Sequence, residues 1–150
     1  MKAKSGFTLV EILIVVVILG ILAAIVIPQF TEASTEAKTS SLMSDLQTVR
    51  SQIELYKVQH NDDVPAPESG GATWDRMTKK TTIANVVDET NGTYGPYLQQ
   101  IPKNPFNDEK GINVVTTNPT TGTNTFGWWF NSNSGAFGAS STYDPCHVNL

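Results

Sequence analysis

Between residues 12 and 27 no position carries a charged or polar side chain. With residues 7–10 ahead of it, the apolar run covers about 20 residues, or about 30 Å as a helix, the thickness of a bilayer core. Pro28 follows, and its missing backbone donor predicts a bend near the end of the run. The helical period then continues to about residue 60 with a different composition. Phe30, Ala33 and Ala37 share one face, and Leu42, Leu46, Val49, Ile53 and Tyr56 follow at steps of four, three, four and three. Glu32, Glu36, Lys38, Asp45, Arg50 and Lys57 occupy the opposite face. Such a stripe is core, so this half of the helix is expected to carry a small sheet.

The stretch "HNDDVPAPESGG" ends the helix, because Pro65, Pro67 and Gly70-Gly71 cannot continue it. A helix over residues 7–60 would be about 80 Å long, a shape suited to a filament spine. Residues 72–93 fit one short helix or an irregular loop closing in an Asn91-Gly92 turn. The last third reads as β. Residues 112–116 and 125–131 are strand candidates joined by "TTNPTTGTN", and residues 131–135 turn into a returning strand at 136–139. Alternation places Gly127 and Trp129 on one face and Trp128 and Phe130 on the other. One aromatic pair is expected in the core, and the other is expected under the long helix or a neighbour. The predicted class is α+β, a long N-terminal helix packed on a small antiparallel sheet.

Composition narrows the chemistry. Charged residues make up 16% of the 150-residue chain and the net charge is −4. No basic cluster is present, so nucleic acid is excluded as a partner, since phosphate neutralisation supplies most non-specific affinity. The single cysteine, Cys146, cannot close an intrachain disulfide. His60 and His147 lie far apart without ligand spacing, and Asp62-Asp63 and Asp108-Glu109 read as solvated turn acids. No catalytic constellation emerges. Lys2 and Lys4 precede the apolar run, which orients the N-terminus to the cytoplasm and the rest of the chain outside. A carboxylate, Glu11, lies near the start of that run, and at a bilayer centre it would cost about 2.5–3.5 kcal/mol. An ordinary cleaved signal peptide is the alternative, with a secreted enzyme or binding domain behind it. The length of the run, Glu11 and the continuing helix weigh against it.

The segment "KSGFTLVEILIVVVILGILAAIVIPQF" resembles the N-terminus of the type IV pilin and type II secretion pseudopilin superfamily. The resemblance implies a leader of residues 1–6, cleaved between Gly6 and Phe7 by a prepilin peptidase, and N-methylation of Phe7. It implies further that Glu11 meets the freed α-amine of Phe7 on a neighbouring subunit. Stranding one half of a buried pair costs about 3–5 kcal/mol, so such a pair would pin the register of assembly. Gly20, Ala23 and Ala24 would allow close helix approach, or are simply the small residues common in membrane helices. The resemblance also allows a melted or kinked segment just before Pro28.

Further along, "GPYLQQIPKNPFN" is similar to the Gly-Pro-Tyr-Leu … Leu-Pro-x-Asp-Pro-Trp-Gly segment of major pseudopilins. Asn104 stands for the usual Asp, Phe106 for Trp and Asn107 for Gly. The resemblance therefore implies a structural subunit of a type II secretion pseudopilus, with a surface type IV pilin as the nearer alternative. The implied layout is leader 1–6, membrane and assembly helix 7–28, amphipathic half-helix 29–62, and a periplasmic body over 63–150. Implied partners are copies of the chain, minor pseudopilins, prepilin peptidase, an inner-membrane assembly platform and membrane lipid. Related major pseudopilins hold calcium in C-terminal loops. Here Asp144 is the one acid in "NSNSGAFGASSTYD", and calcium needs about six to eight oxygens, so that implication is weakened: no cofactor is expected, with calcium held through Asp144 as the alternative.

Overall fold

The computed structural model describes residues 6–67, 74–120, 122 and 125–140. The chain divides into two units, Met1–Ala37 and Lys38–Leu150. Helix α1, Leu9–Gln59, enters both.

In the first unit the described residues are almost entirely helix, and every large apolar side chain from Phe7 to Phe30 is exposed. The helix continues through Pro28, and the segment before it is helical, with no melted stretch.

In the second unit the expected stripe is the buried face of α1: Leu42, Leu46, Val49, Ile53 and Tyr56. The helix ends where Asn61 and Asp62 turn into the left-handed region (φ 54° and 64°), which Asn and Asp tolerate better than most residues. There the Asp62 N–H donates to the Lys57 carbonyl at 2.9 Å and closes the last turn.

Three short strands form one sheet in the order β1-β2-β3: β1 Ile112–Val115, β2 Trp128–Asn131 and β3 Phe137–Ala139. The pair β2–β3 is the expected antiparallel hairpin, with Trp129 opposite Gly138. The pair β1–β2 is parallel, with Ile112 opposite Trp128, so the sheet is mixed where a wholly antiparallel one was expected. The chain between β1 and β2 has the length of about a dozen residues that a parallel crossover needs, and a tight hairpin is not required there.

Trp128, Phe130, Phe137 and Ala139 turn toward α1 and join Trp74, Met77, Leu98, Ile101 and Ile112 in one core. Trp74 stacks on Phe137 (centroids 5.5 Å) and meets Phe130 edge-on at 5.3 Å. Trp128 stacks on Phe137 at 5.2 Å, and its indole N–H donates to the Pro102 carbonyl at 2.9 Å. These are the offset and edge geometries that aromatic quadrupoles favour.

Between residues 74 and 94 the chain contains one turn of helix, α2 (Asp75–Thr78), followed by bridges from Thr81 to Val87 and to Tyr94.

Candidate assembly site

Gly6, Phe7 and Glu11 lie together at the start of α1, all exposed. Thr8 sits just ahead of the first helical residue and closes a reciprocal cap with Glu11. The Glu11 N–H donates to Thr8 Oγ1 at 3.3 Å, and the Thr8 N–H donates to Glu11 Oε2 at 3.4 Å. This is a capping box, in which a Thr and a Glu three residues on satisfy two helix-terminal donors. Thr8-Leu9-Val10-Glu11 has the Thr-x-x-Glu spacing of this cap, a signal legible in the sequence. The contacts are long, and Oε1 has no hydrogen bond among the described residues, so the carboxylate keeps accepting capacity. A carboxylate at a helix N-terminus also complements the macrodipole.

Behind Glu11 the helix presents its apolar side chains all round, with Leu13 55%, Leu19 58% and Ile27 64% exposed. An all-round apolar helix needs a partner phase, either lipid or other helices. Around Gly20 there is open space that another backbone can enter.

The other residues weighed from sequence have structural roles or exposed positions. His60 is fully buried. Its Nδ1 lies 2.9 Å from the Tyr56 carbonyl and its Nε2 3.0 Å from Thr81 Oγ1. A carbonyl only accepts, so Nδ1 carries a proton, and in the neutral ring Nε2 accepts from the Thr81 hydroxyl. The ring stacks on Tyr56 at 3.9 Å with Tyr94 and Tyr97 edge-on. Asp62, Asp63, Asp108 and Glu109 are exposed. Among the described residues no group of three or more His, Cys, Asp or Glu is placed to hold a metal ion. Asp144, Cys146 and His147 lie outside the described residues.

The segment 97–107 acts as a fastening. The N–H groups of Tyr97 and Leu98 both donate to the Met77 carbonyl, at 2.9 and 2.8 Å. Asn104 is fully buried; its Nδ2 donates to the Gly127 carbonyl at 2.8 Å and its Oδ1 accepts the Phe106 N–H at 2.9 Å. Asn107 Nδ2 donates to the Phe126 and Ser140 carbonyls at 2.9 and 3.2 Å. The two asparagines that depart from the major-pseudopilin pattern thus donate to carbonyls flanking β2 and β3. An aspartate carboxylate at position 104 could not do so.

The family described as "Prokaryotic N-terminal methylation motif" matches residues 1–27. That signature, on an exposed apolar helix that runs on into a small α+β body, defines a pilin-like subunit. The type II secretion system core protein G of Pseudomonas aeruginosa is 34% identical over 105 residues, covering 70% of each chain. Its counterpart from Dickeya chrysanthemi is 33% identical over 109 residues, covering 72% of this chain and 67% of its own. The type IV narrow pilus major component PilA5 of Thermus thermophilus is 39% identical over 93 residues, covering 56% of this chain and 79% of its own. No solved structure matches. The chain belongs to the type II secretion system core protein G family, the major pseudopilins. It is a structural protein of the secretion pseudopilus and not an enzyme.

Proposed function

We propose that residues 1–6 are a leader removed between Gly6 and Phe7 by prepilin peptidase, and that the new N-terminus at Phe7 is methylated. Residues 7–28 then hold the subunit in the inner membrane, N-terminus cytoplasmic, with the amphipathic half-helix 29–62 and the body 63–150 in the periplasm. From there an assembly platform draws it, with minor pseudopilins, into a periplasmic filament of its own copies that drives protein export.

The observation that carries this reading is a membrane-length helix, exposed all round, with a single carboxylate at its head inside the methylation motif. In lipid or in a helix bundle, Glu11 needs a positive partner, since an unpaired buried charge costs several kcal/mol. The α-amine of a neighbour's Phe7 is the group that processing would create. Glu11 already faces the helix N-terminus through Thr8, and its second oxygen is left to accept a charge-assisted bond.

Two measurements test the reading. Mass spectrometry of the mature chain should find methylated Phe7 as the first residue; a start beyond Ala24 would mean an ordinary signal peptide. Glu11→Ala should leave cleavage intact and abolish filaments in electron micrographs. Filaments of normal length and number from that variant would remove Glu11 from assembly.

A further inference from the structure

The turn at residues 88–92 carries chemistry that the filament role does not use. Glu89, Thr90, Asn91 and Thr93 are exposed, and with Gly92 they spell Glu-Thr-Asn-Gly-Thr. Asparagine followed two positions later by threonine, with no proline between, is the acceptor pattern for asparagine-linked glycans. An acid two positions before the asparagine completes the five-residue form that bacterial transferases of this class read.

The structure displays the pattern on a built turn. Asp88 Oδ1 accepts the N–H groups of Thr90 and Asn91, each at 2.9 Å, and its Oδ2 accepts Asn91 Nδ2 at 3.1 Å. The Gly92 N–H donates to the Asp88 carbonyl at 2.8 Å, and a side chain on Gly92 would collide with that same oxygen. Asn91 therefore sits exposed in a tight turn, with its amide nitrogen held by the carboxylate of half-buried Asp88.

We propose that Asn91 is an acceptor site for an asparagine-linked glycan, taken from a polyprenyl-diphosphate-linked oligosaccharide by a membrane-bound transferase. The bond formed joins Asn91 Nδ2 to C1 of the first sugar. The C1–oxygen bond to the diphosphate breaks, polyprenyl diphosphate leaves with the electron pair, and one amide proton passes to a base of the transferase. The glycosylated nitrogen keeps one hydrogen, so its bond to Asp88 can re-form. In cells the proposal rests on the periplasmic placement of the body, because such transferases act on that side of the membrane.

The test has two arms. In one, the full chain is co-produced with a periplasmic, acid-requiring bacterial oligosaccharyltransferase and its lipid-linked glycan. In the other, the detergent-solubilised full chain meets the same enzyme and donor in vitro. The expected result is an intact-mass gain of one glycan, mapped to Asn91, abolished in Asn91→Gln and reduced at least tenfold in Glu89→Gln. Modification in cells supports both the site and the placement. Modification only in vitro supports the site and overturns the placement. No modification in either arm, while a control acceptor is modified in both, overturns the site, as does a glycan that persists in Asn91→Gln.

Discussion

Trp129 and Gly138 face each other across β2 and β3, and the indole of Trp129 lies so close over Gly138 that a Cβ there would overlap the ring. Trp129 is only 5% exposed although it stands outside the core cluster, and it lines a cavity with Arg50, Ile53 and Glu54 of α1. The alternation Trp128, Trp129, Phe130 therefore does two jobs. Trp128 and Phe130 join the core under α1, and Trp129 covers the hairpin at Gly138, in the space that glycine leaves.

This contact makes Gly138 intolerant of a side chain. Gly138→Ala is expected to destabilise the protein by about 1–3 kcal/mol through overpacking. Urea unfolding of the detergent-solubilised chain, followed by Trp fluorescence, checks this. An unchanged midpoint would mean that the indole can move aside at no cost.

His60 and Thr81 join the end of α1 to the loop that holds Tyr94 and Tyr97, and both are fully buried. Thr81→Val keeps the shape and removes the hydroxyl, leaving His60 Nε2 unsatisfied, for an expected loss of about 1–3 kcal/mol. Pairing it with His60→Phe in a double-mutant cycle should show a coupling of about 0.5–3 kcal/mol. Additive losses would mean that the hydrogen bond contributes nothing beyond packing.

Asn104 offers a charge test at nearly constant volume. Asn104→Asp places a carboxylate against the Gly127 carbonyl, 2.8 Å from the present amide nitrogen. Burial would raise the folded-state pKa of that aspartate above its unfolded value. The variant's deficit is therefore present at neutral pH and shrinks as pH falls below the raised value, where a protonated carboxyl again donates to Gly127. Thermal midpoints measured from pH 7 down to pH 4 should converge on the parent. Midpoints that run parallel would show that charge is not the cause.

At the alkaline end Tyr56 is the group to watch. Burial, first of all, pushes its phenol from 10.0 up to about 12, and its hydroxyl donates to Asn85 Oδ1. A pKa raised on folding gives stability that is whole below the unfolded value, here about pH 10, and is lost as pH rises toward 12. Tyr56→Phe should cost about 0.5–1.5 kcal/mol at neutral pH through the lost hydrogen bond. It should also flatten part of the fall in stability between pH 10 and 12. Burial raises Tyr97 as well, so some slope remains. An alkaline limb identical to the parent's would reassign it to other groups.

What the amino-acid order determined by itself lies where chemistry is local or periodic. The apolar run, Glu11 in the methylation signature, the stripe from Leu42 to Tyr56 and the β2–β3 hairpin are each set by neighbours a few residues apart. The Thr8–Glu11 cap belongs with them, since its spacing spells it out. Tertiary structure alone decided the rest. The parallel pairing of β1 with β2, the burial of His60 among tyrosines and the donation of Asn104 to Gly127 join residues far apart in the chain. A polar side chain has the same local preference whether water or a distant carbonyl will satisfy it. Only the closing of the core, which removes the water, selects the second outcome.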